Sequence, residues 1–177
     1  MNRMLRYAAQ GLAFAAFAAT TWYLSVEPRY SPIAPGEALL KISFSHQGQR
    51  LGECRQRSAE ELADLAPNMR TALDCPRERA PIYLEVELDD ARVYQAMLQP
   101  TGLSRDGSAY VYERLPVPAG VHRVAARLRD SADGPDFDYS RAAVVQLAAA
   151  EVLVVDFDAN RGGFLFKGGT PAVEPRP

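Results

Sequence analysis

The sequence predicts an all-β extracytoplasmic domain, an antiparallel immunoglobulin-like β-sandwich of about eight strands with one short helical insertion, behind a single N-terminal transmembrane helix. Three observations lead there: a run of 20 uncharged residues from Tyr7 to Val26, period-two alternation of apolar and polar residues through most of the rest, and two cysteines that bracket a helix-cap sequence.

The N-terminal run, YAAQGLAFAAFAATTWYLSV, would span roughly 30 Å as a helix, the thickness of a bilayer's hydrocarbon core. Arg3 and Arg6 precede it and Glu27 follows, an asymmetry that places the N-terminus in the cytoplasm and Trp22 and Tyr23 at the outer interface. On this reading residues 1–26 anchor a single-pass protein in the bacterial inner membrane, with the C-terminal domain in the periplasm. The alternative is a secreted periplasmic protein released at Ala13-Phe14-Ala15 or Ala16-Phe17-Ala18, both of which fit a small-residue cleavage site. Residues 27–36 follow as a stalk, because Pro28, Pro32 and Pro35 are too closely spaced for a helix or an inner strand.

The domain proper is expected over 37–168, with a flexible tail at 169–177. Ile82, Leu84, Val86 and Leu88 alternate with Tyr83, Glu85, Glu87 and Asp89, as in a strand with one buried and one wet face. The pattern recurs at Ala38–Phe44, at Val121–Arg129 with His122, Val124, Ala126 and Leu128 inward, and at Tyr139–Leu147; weaker strands are expected at Val93–Leu98, Tyr110–Leu115, Val152–Asp158 and Phe164–Phe166. Turns are expected at Asp89-Asp90, Asp106-Gly107, Pro118-Ala119-Gly120 and Asn160–Gly163. Ser58-Ala59-Glu60-Glu61 is a capping box that opens a helix of about two turns, with Leu62 and Leu65 on one face and Pro67 ending it. So short a helix needs a tether, and in an oxidising compartment a Cys54–Cys75 disulfide supplies one.

Composition removes several classes of function. Beyond residue 26 the chain carries 18 basic and 22 acidic side chains, a formal charge of −4, which leaves no cationic excess for nucleic acid or anionic lipid. No phosphate-binding glycine loop and no nucleophile elbow is present, and no cofactor is expected. Asp156–Gly162 begins like a calcium loop, but Gly falls at its seventh place and Lys167 stands where a bidentate Glu is required. Asp130, Asp133, Asp136 and Asp138 are expected in a solvated loop. Tyr110, Tyr112 and Arg114 share one strand face and make the strongest candidate for a partner surface, Tyr and Arg being enriched at binding hot spots.

YERLPVPAGVHRVAARLRD at Tyr112–Asp130 resembles the second hairpin of small surface β-domains of the PEGA type, and IYLEVELDDARVY at Ile82–Tyr94 is similar to their first. The resemblance covers under a third of the chain and implies a non-catalytic envelope module that adheres to other components. The expected function is thus a membrane-anchored periplasmic binding or assembly accessory, held to the inner membrane through Tyr7–Val26 and partnered by another envelope protein. One alternative is a copper or metalloenzyme-maturation accessory in which Cys54, Met69 and Cys75 supply soft sulfur ligands. A second is an envelope hydrolase using acids such as Glu85 and Glu87.

Overall fold

The computed structural model describes residues 3–27, 32–132 and 134–172 of the 177. The chain divides into two compact units, 1–34 and 35–177. The first holds helix α1, Arg3–Val26, in which Thr20, Thr21 and Ser25 each donate a hydroxyl hydrogen bond to the carbonyl four residues back. The expectation of a bilayer-crossing anchor is corrected here: no described helix is long and apolar enough to cross a membrane. The reason lies in composition, since alanine is the commonest residue of α1 and its methyl group buries little area, and the charge-free run is interrupted by Gln10, Gly11, Thr20, Thr21 and Ser25. Of the expected stalk, residues 28–31 lie outside the described residues, as do Asp133 and 173–177 of the tail.

The second unit is mostly β, with eleven strands in three sheets among the described residues. The eight expected strands all form: β1 (Glu37–His46), β4 (Ile82–Leu88), β5 (Ala91–Leu98), β6 (Ala109–Pro118), β7 (Gly120–Arg129), β8 (Tyr139–Leu147), β9 (Val152–Asp158) and β10 (Gly163–Lys167). Three two-residue strands complete the set: β2 (Arg55–Gln56), β3 (Leu73–Asp74) and β11 (Thr170–Pro171). A four-stranded sheet runs β10-β9-β1-β6, a five-stranded sheet β11-β8-β7-β4-β5, and β2 and β3 pair as a small hairpin. The tail expected from 169 therefore begins as a strand, with Thr170 opposite Gln146 of β8.

Two features depart from a wholly antiparallel order. β1 runs parallel to β9, with Leu40 opposite Leu153 and Ile42 opposite Val155, while it is antiparallel to β6. The Pro118-Ala119-Gly120 turn does not close a hairpin either, because β6 pairs with β1 whereas β7 pairs with β4 and β8. The chain changes sheets there, at Gly120 with φ +155°. Alternation gives the two local strand patterns but not their partners, which depend on residues far apart in sequence.

The inward residues of both larger sheets form one apolar cluster. Ala38, Leu40 and Ile42 of β1 meet Leu153 and Val155 of β9, and Ile82, Leu84 and Val86 of β4 meet Val124, Ala126 and Leu128 of β7; all are fully buried. Phe44, Phe157 and Phe164 close one end, with ring centroids 5.2 to 6.1 Å apart in tilted and edge-on contacts. Strand alternation thus delivers the expected core faces.

Asp89 and Asp90 turn β4 into β5 with φ of 51° and 63°, the left-handed pair that a two-residue hairpin of right-handed twist requires. Asp89 does more than turn: its carboxylate accepts from His122 Nδ1 at 2.7 Å and from the Arg123 N–H at 2.9 Å. His122 is buried, and its Nε2 faces the Pro118 carbonyl at 2.9 Å. Asp89→Ala is expected to lower the unfolding free energy by about 1–3 kcal/mol, because it strands a buried ring nitrogen; urea denaturation measures it, and an unchanged midpoint would remove the Asp89–His122 contact from the stability of the fold.

Candidate functional site

The cysteine-bracketed segment is a stapled hairpin. Cys54 and Cys75 form a disulfide with their Cα atoms 4.1 Å apart, closing the base of β2 and β3. Inside the loop Ser58 caps α2, Ala59–Ala63, with the reciprocal bonds of the expected capping box: the Glu61 N–H donates to Ser58 Oγ, and the Ser58 N–H donates to the Glu61 carboxylate. The helix is one turn shorter than expected, and Pro67 starts a separate 3-10 turn, Pro67–Met69. Both sulfurs are engaged with each other, and Met69 is exposed, so the copper alternative has no thiolate in this state. Among the described residues no three His, Cys, Asp or Glu side chains gather as a metal site.

The expected partner strip lies on the outer face of β6. Tyr110 and Tyr112 are 64% and 61% exposed, and Arg114 stands two residues further along the same face. β6 is an end strand of its sheet. Lys41 of β1 reaches across to place its ammonium 5.1 Å from the Tyr112 ring centre, which orients that ring without covering it.

Glu85 and Glu87 lie on the outer face of the five-stranded sheet, and Glu85 is 5% exposed. Arg127 Nη2 donates to Glu85 at 2.7 Å and also to Glu87, Tyr83 donates its hydroxyl to Glu85 at 3.1 Å, and Arg92 lies 3.3 Å away. Burial pushes the Glu85 carboxyl up, but the Tyr83 hydrogen bond and the Arg92 and Arg127 guanidiniums outweigh it and hold the group below the usual carboxylate range. A general acid must keep its proton, so this environment does the opposite of what glycoside or peptide hydrolysis asks of one of its carboxyls.

The acidic loop is not uniformly solvated. Asp130 is buried, and its carboxylate meets His46 Nε2 at 2.6 Å and Gln49 Nε2 at 3.1 Å. Asp138 in turn accepts the backbone N–H groups of Asp130 and Ser131. His46 packs against the Phe157 ring, and Asp130 is its only side-chain hydrogen-bond partner among the described residues, so an orienting carboxylate is present without a nucleophile on the imidazole. The residues of the failed calcium loop have other duties: Asp156 pairs with Lys167, and Asp158 accepts the Asn160 N–H at 3.0 Å.

These buried and capped carboxylates make the fold acid-sensitive in a defined direction. In Glu85, Asp89, Asp138 and Asp156 burial raises the carboxyl pKa, yet hydrogen bonds and neighbouring cations more than offset it, so each is lowered in the folded chain. A lowered folded value means that the stabilisation is present above the ordinary carboxylate range near ~4 and is lost as pH falls through the folded values. The melting temperature is expected to hold near neutrality and to fall steadily below about pH 4. A calorimetric series in acid checks this, and a flat profile down to pH ~2 would contradict it.

Sequence reasoning passed over a cluster of arginines. Arg50, Arg57, Arg77 and Arg79, together with Asp74 and Asp106, line an open pocket of about 420 Å³ beside the disulfide. In the sequence these arginines are interleaved with Glu53, Glu60, Glu61, Asp74 and Glu78, so the segment shows no net charge; only folding segregates them. The visible signal was their spacing on both flanks of Cys54 and Cys75. Gly48 helps to place the first of them: a Cβ at Gly48 would lie 2.1 Å from the Ala80 carbonyl oxygen, so only glycine lets this stretch lie against Ala80 and bring Arg50 opposite Arg79.

The architecture and site define a mostly β protein with a disulfide-stapled hairpin and two surface features, an aromatic-cationic strip and an arginine-lined pocket. Comparison with protein-family models, curated proteins and solved structures finds no match to this chain.

Proposed function

We propose that the chain is an exported, non-catalytic binding or assembly accessory of the cell envelope, an immunoglobulin-like sandwich that presents one edge strand to a protein partner. The observation that carries this reading is the exposure of Tyr110 and Tyr112 beside Arg114 on β6. Large aromatics with an arginine on a rigid strand are the residues that carry binding energy when a partner excludes water from them. The Cys54–Cys75 disulfide supports a compartment outside the reducing cytosol. α1 then serves export, with Arg3 and Arg6 at its start and the apolar stretch Leu12–Ala19 as its core, and the periplasm of a bacterial cell is the compartment proposed. The Ile82–Tyr94 segment, which does form a hairpin, resembles the first hairpin of PEGA-type domains and points the same way, toward adhesion instead of chemistry.

The test is native mass spectrometry of the full-length gene product extracted in mild detergent, beside a Tyr110→Ala, Tyr112→Ala, Arg114→Ala variant. The parent is expected to carry a stoichiometric protein partner, and the variant is expected to lose it while melting at the parent's temperature. A variant that retains the partner would place the interface elsewhere. The same spectra report whether α1 remains on the mature chain and whether the cysteines are oxidised; reduced cysteines with stoichiometric copper would replace this reading with metal handling.

A further inference from the structure

We propose that the pocket beside the disulfide binds an oxyanion, and that its ligand class is a phosphomonoester carried on a larger polar molecule. The site is distinct from the β6 strip and does not depend on the partner reading. Four arginines from two stretches of chain line one depression: Arg50 before Cys54, Arg57 on β2's C-terminal flank, and Arg77 and Arg79 after Cys75. Arg57 is already matched, because its Nη2 donates to Asp74 at 3.0 Å and its Nη1 to Thr71 Oγ1 at 3.3 Å. Among the described residues neither Arg50 nor Arg77 has an ion-pair or side-chain hydrogen-bond partner. Arg79 donates through Nη1 to the Gly48 carbonyl at 3.1 Å, while its Nε is buried and makes no hydrogen bond.

Like charges gathered around one pocket repel one another unless an anion joins them. An oxyanion answers the repulsion, since each guanidinium offers a planar fork that matches two oxygens. Charge selects the anion. Asp74 and Asp106 offset two of the four arginines, leaving a formal excess of two, which a phosphomonoester of charge about −1.5 to −2 neutralises and a monocarboxylate does not. Size points to a carried group, since a pocket of about 420 Å³ is far larger than a phosphate ion, and the Asp106 carboxylate suits hydroxyl or ammonium groups on the rest of the ligand.

The test is isothermal titration of the full-length oxidised protein with inorganic phosphate, glycerol phosphate and acetate at matched ionic strength, beside an Arg50→Ala, Arg77→Ala double variant. Both positions are exposed and tie down nothing in the fold, so the variant is expected to melt with the parent. Phosphate and glycerol phosphate are expected to bind the parent, acetate at least about tenfold more weakly, and the double variant is expected to lose about tenfold or more in phosphate affinity. Arg77→Lys, which keeps the charge but loses the fork, is expected to fall between the two. Vesicles of phosphatidylcholine with and without phosphatidic acid separate the sources: binding that needs phosphatidic acid and is weakened in the double variant assigns a lipid headgroup, whereas phosphate binding without it assigns a soluble ligand. Absence of phosphate binding by the parent, equal affinity for acetate, or a double variant within about twofold of the parent would overturn the proposal.

Discussion

Leu84→Ala should lower the unfolding free energy by about 2–5 kcal/mol, the largest single-residue effect expected in this chain. Leu84 is fully buried at the middle of β4, flanked in register by Ala96 of β5 and Leu128 of β7. Truncation removes three side-chain carbons from water-free surroundings and leaves a cavity, and both losses add. The sheet above cannot collapse to fill the space, because β4 is held by hydrogen-bonded strands on both sides. Guanidinium denaturation monitored by circular dichroism measures the change, and a midpoint equal to the parent's would remove Leu84 from the cooperative core.

Replacing both cysteines, Cys54→Ser with Cys75→Ser, should cost up to about 3 kcal/mol and should act locally. The disulfide closes a loop with its ends 21 residues apart, and the chain-entropy model gives that magnitude for such a loop. Within the loop stand a five-residue helix, a three-residue 3-10 turn and two-residue strands, and none of its residues joins the central apolar cluster. Elements so short do not persist in water unaided. The hairpin is therefore expected to open while both larger sheets stay folded. Hydrogen exchange reads this directly: the Arg57 amide, bonded to the Ala72 carbonyl, and the Leu62 amide, bonded to the Ser58 carbonyl, should lose protection, and amides of β4 and β7 should keep theirs. Retained protection at Arg57 and Leu62 would show that ion pairs such as Arg55–Glu61 hold the hairpin without the covalent bond.

The same opening would disperse the pocket, because Arg57 and Asp74 sit on the hairpin while Arg77 and Arg79 follow its closing cysteine. Stability of the staple and integrity of the proposed oxyanion site are linked in this way.

Local chemistry was legible from the chain alone. Alternation in Ala38–Phe44, Ile82–Leu88 and Val121–Arg129 gave the inward faces, including His122, because a strand's period of two depends on nothing outside it. The Ser58 capping box and the Asp89-Asp90 turn were legible for the same reason, each being satisfied by neighbours within a few residues. The hydrophobic run at the N-terminus is legible as a helix, but freedom from charge does not make it a bilayer span, because alanine contributes little apolar area.

What tertiary structure alone decided was which distant residues meet. The parallel pairing of β1 with β9, the pairing of β6 and β7 with different sheets, the contact of Asp130 with His46 and the contact of buried Glu85 with Arg127 all join positions tens of residues apart. The arginine pocket belongs to the same kind. Its charges cancel when read along the chain and separate only when the disulfide and Gly48 fold two stretches against each other. Periodicity and capping are short-range and are written in neighbouring residues; electrostatic fields and strand partners follow distances in space, which the fold sets.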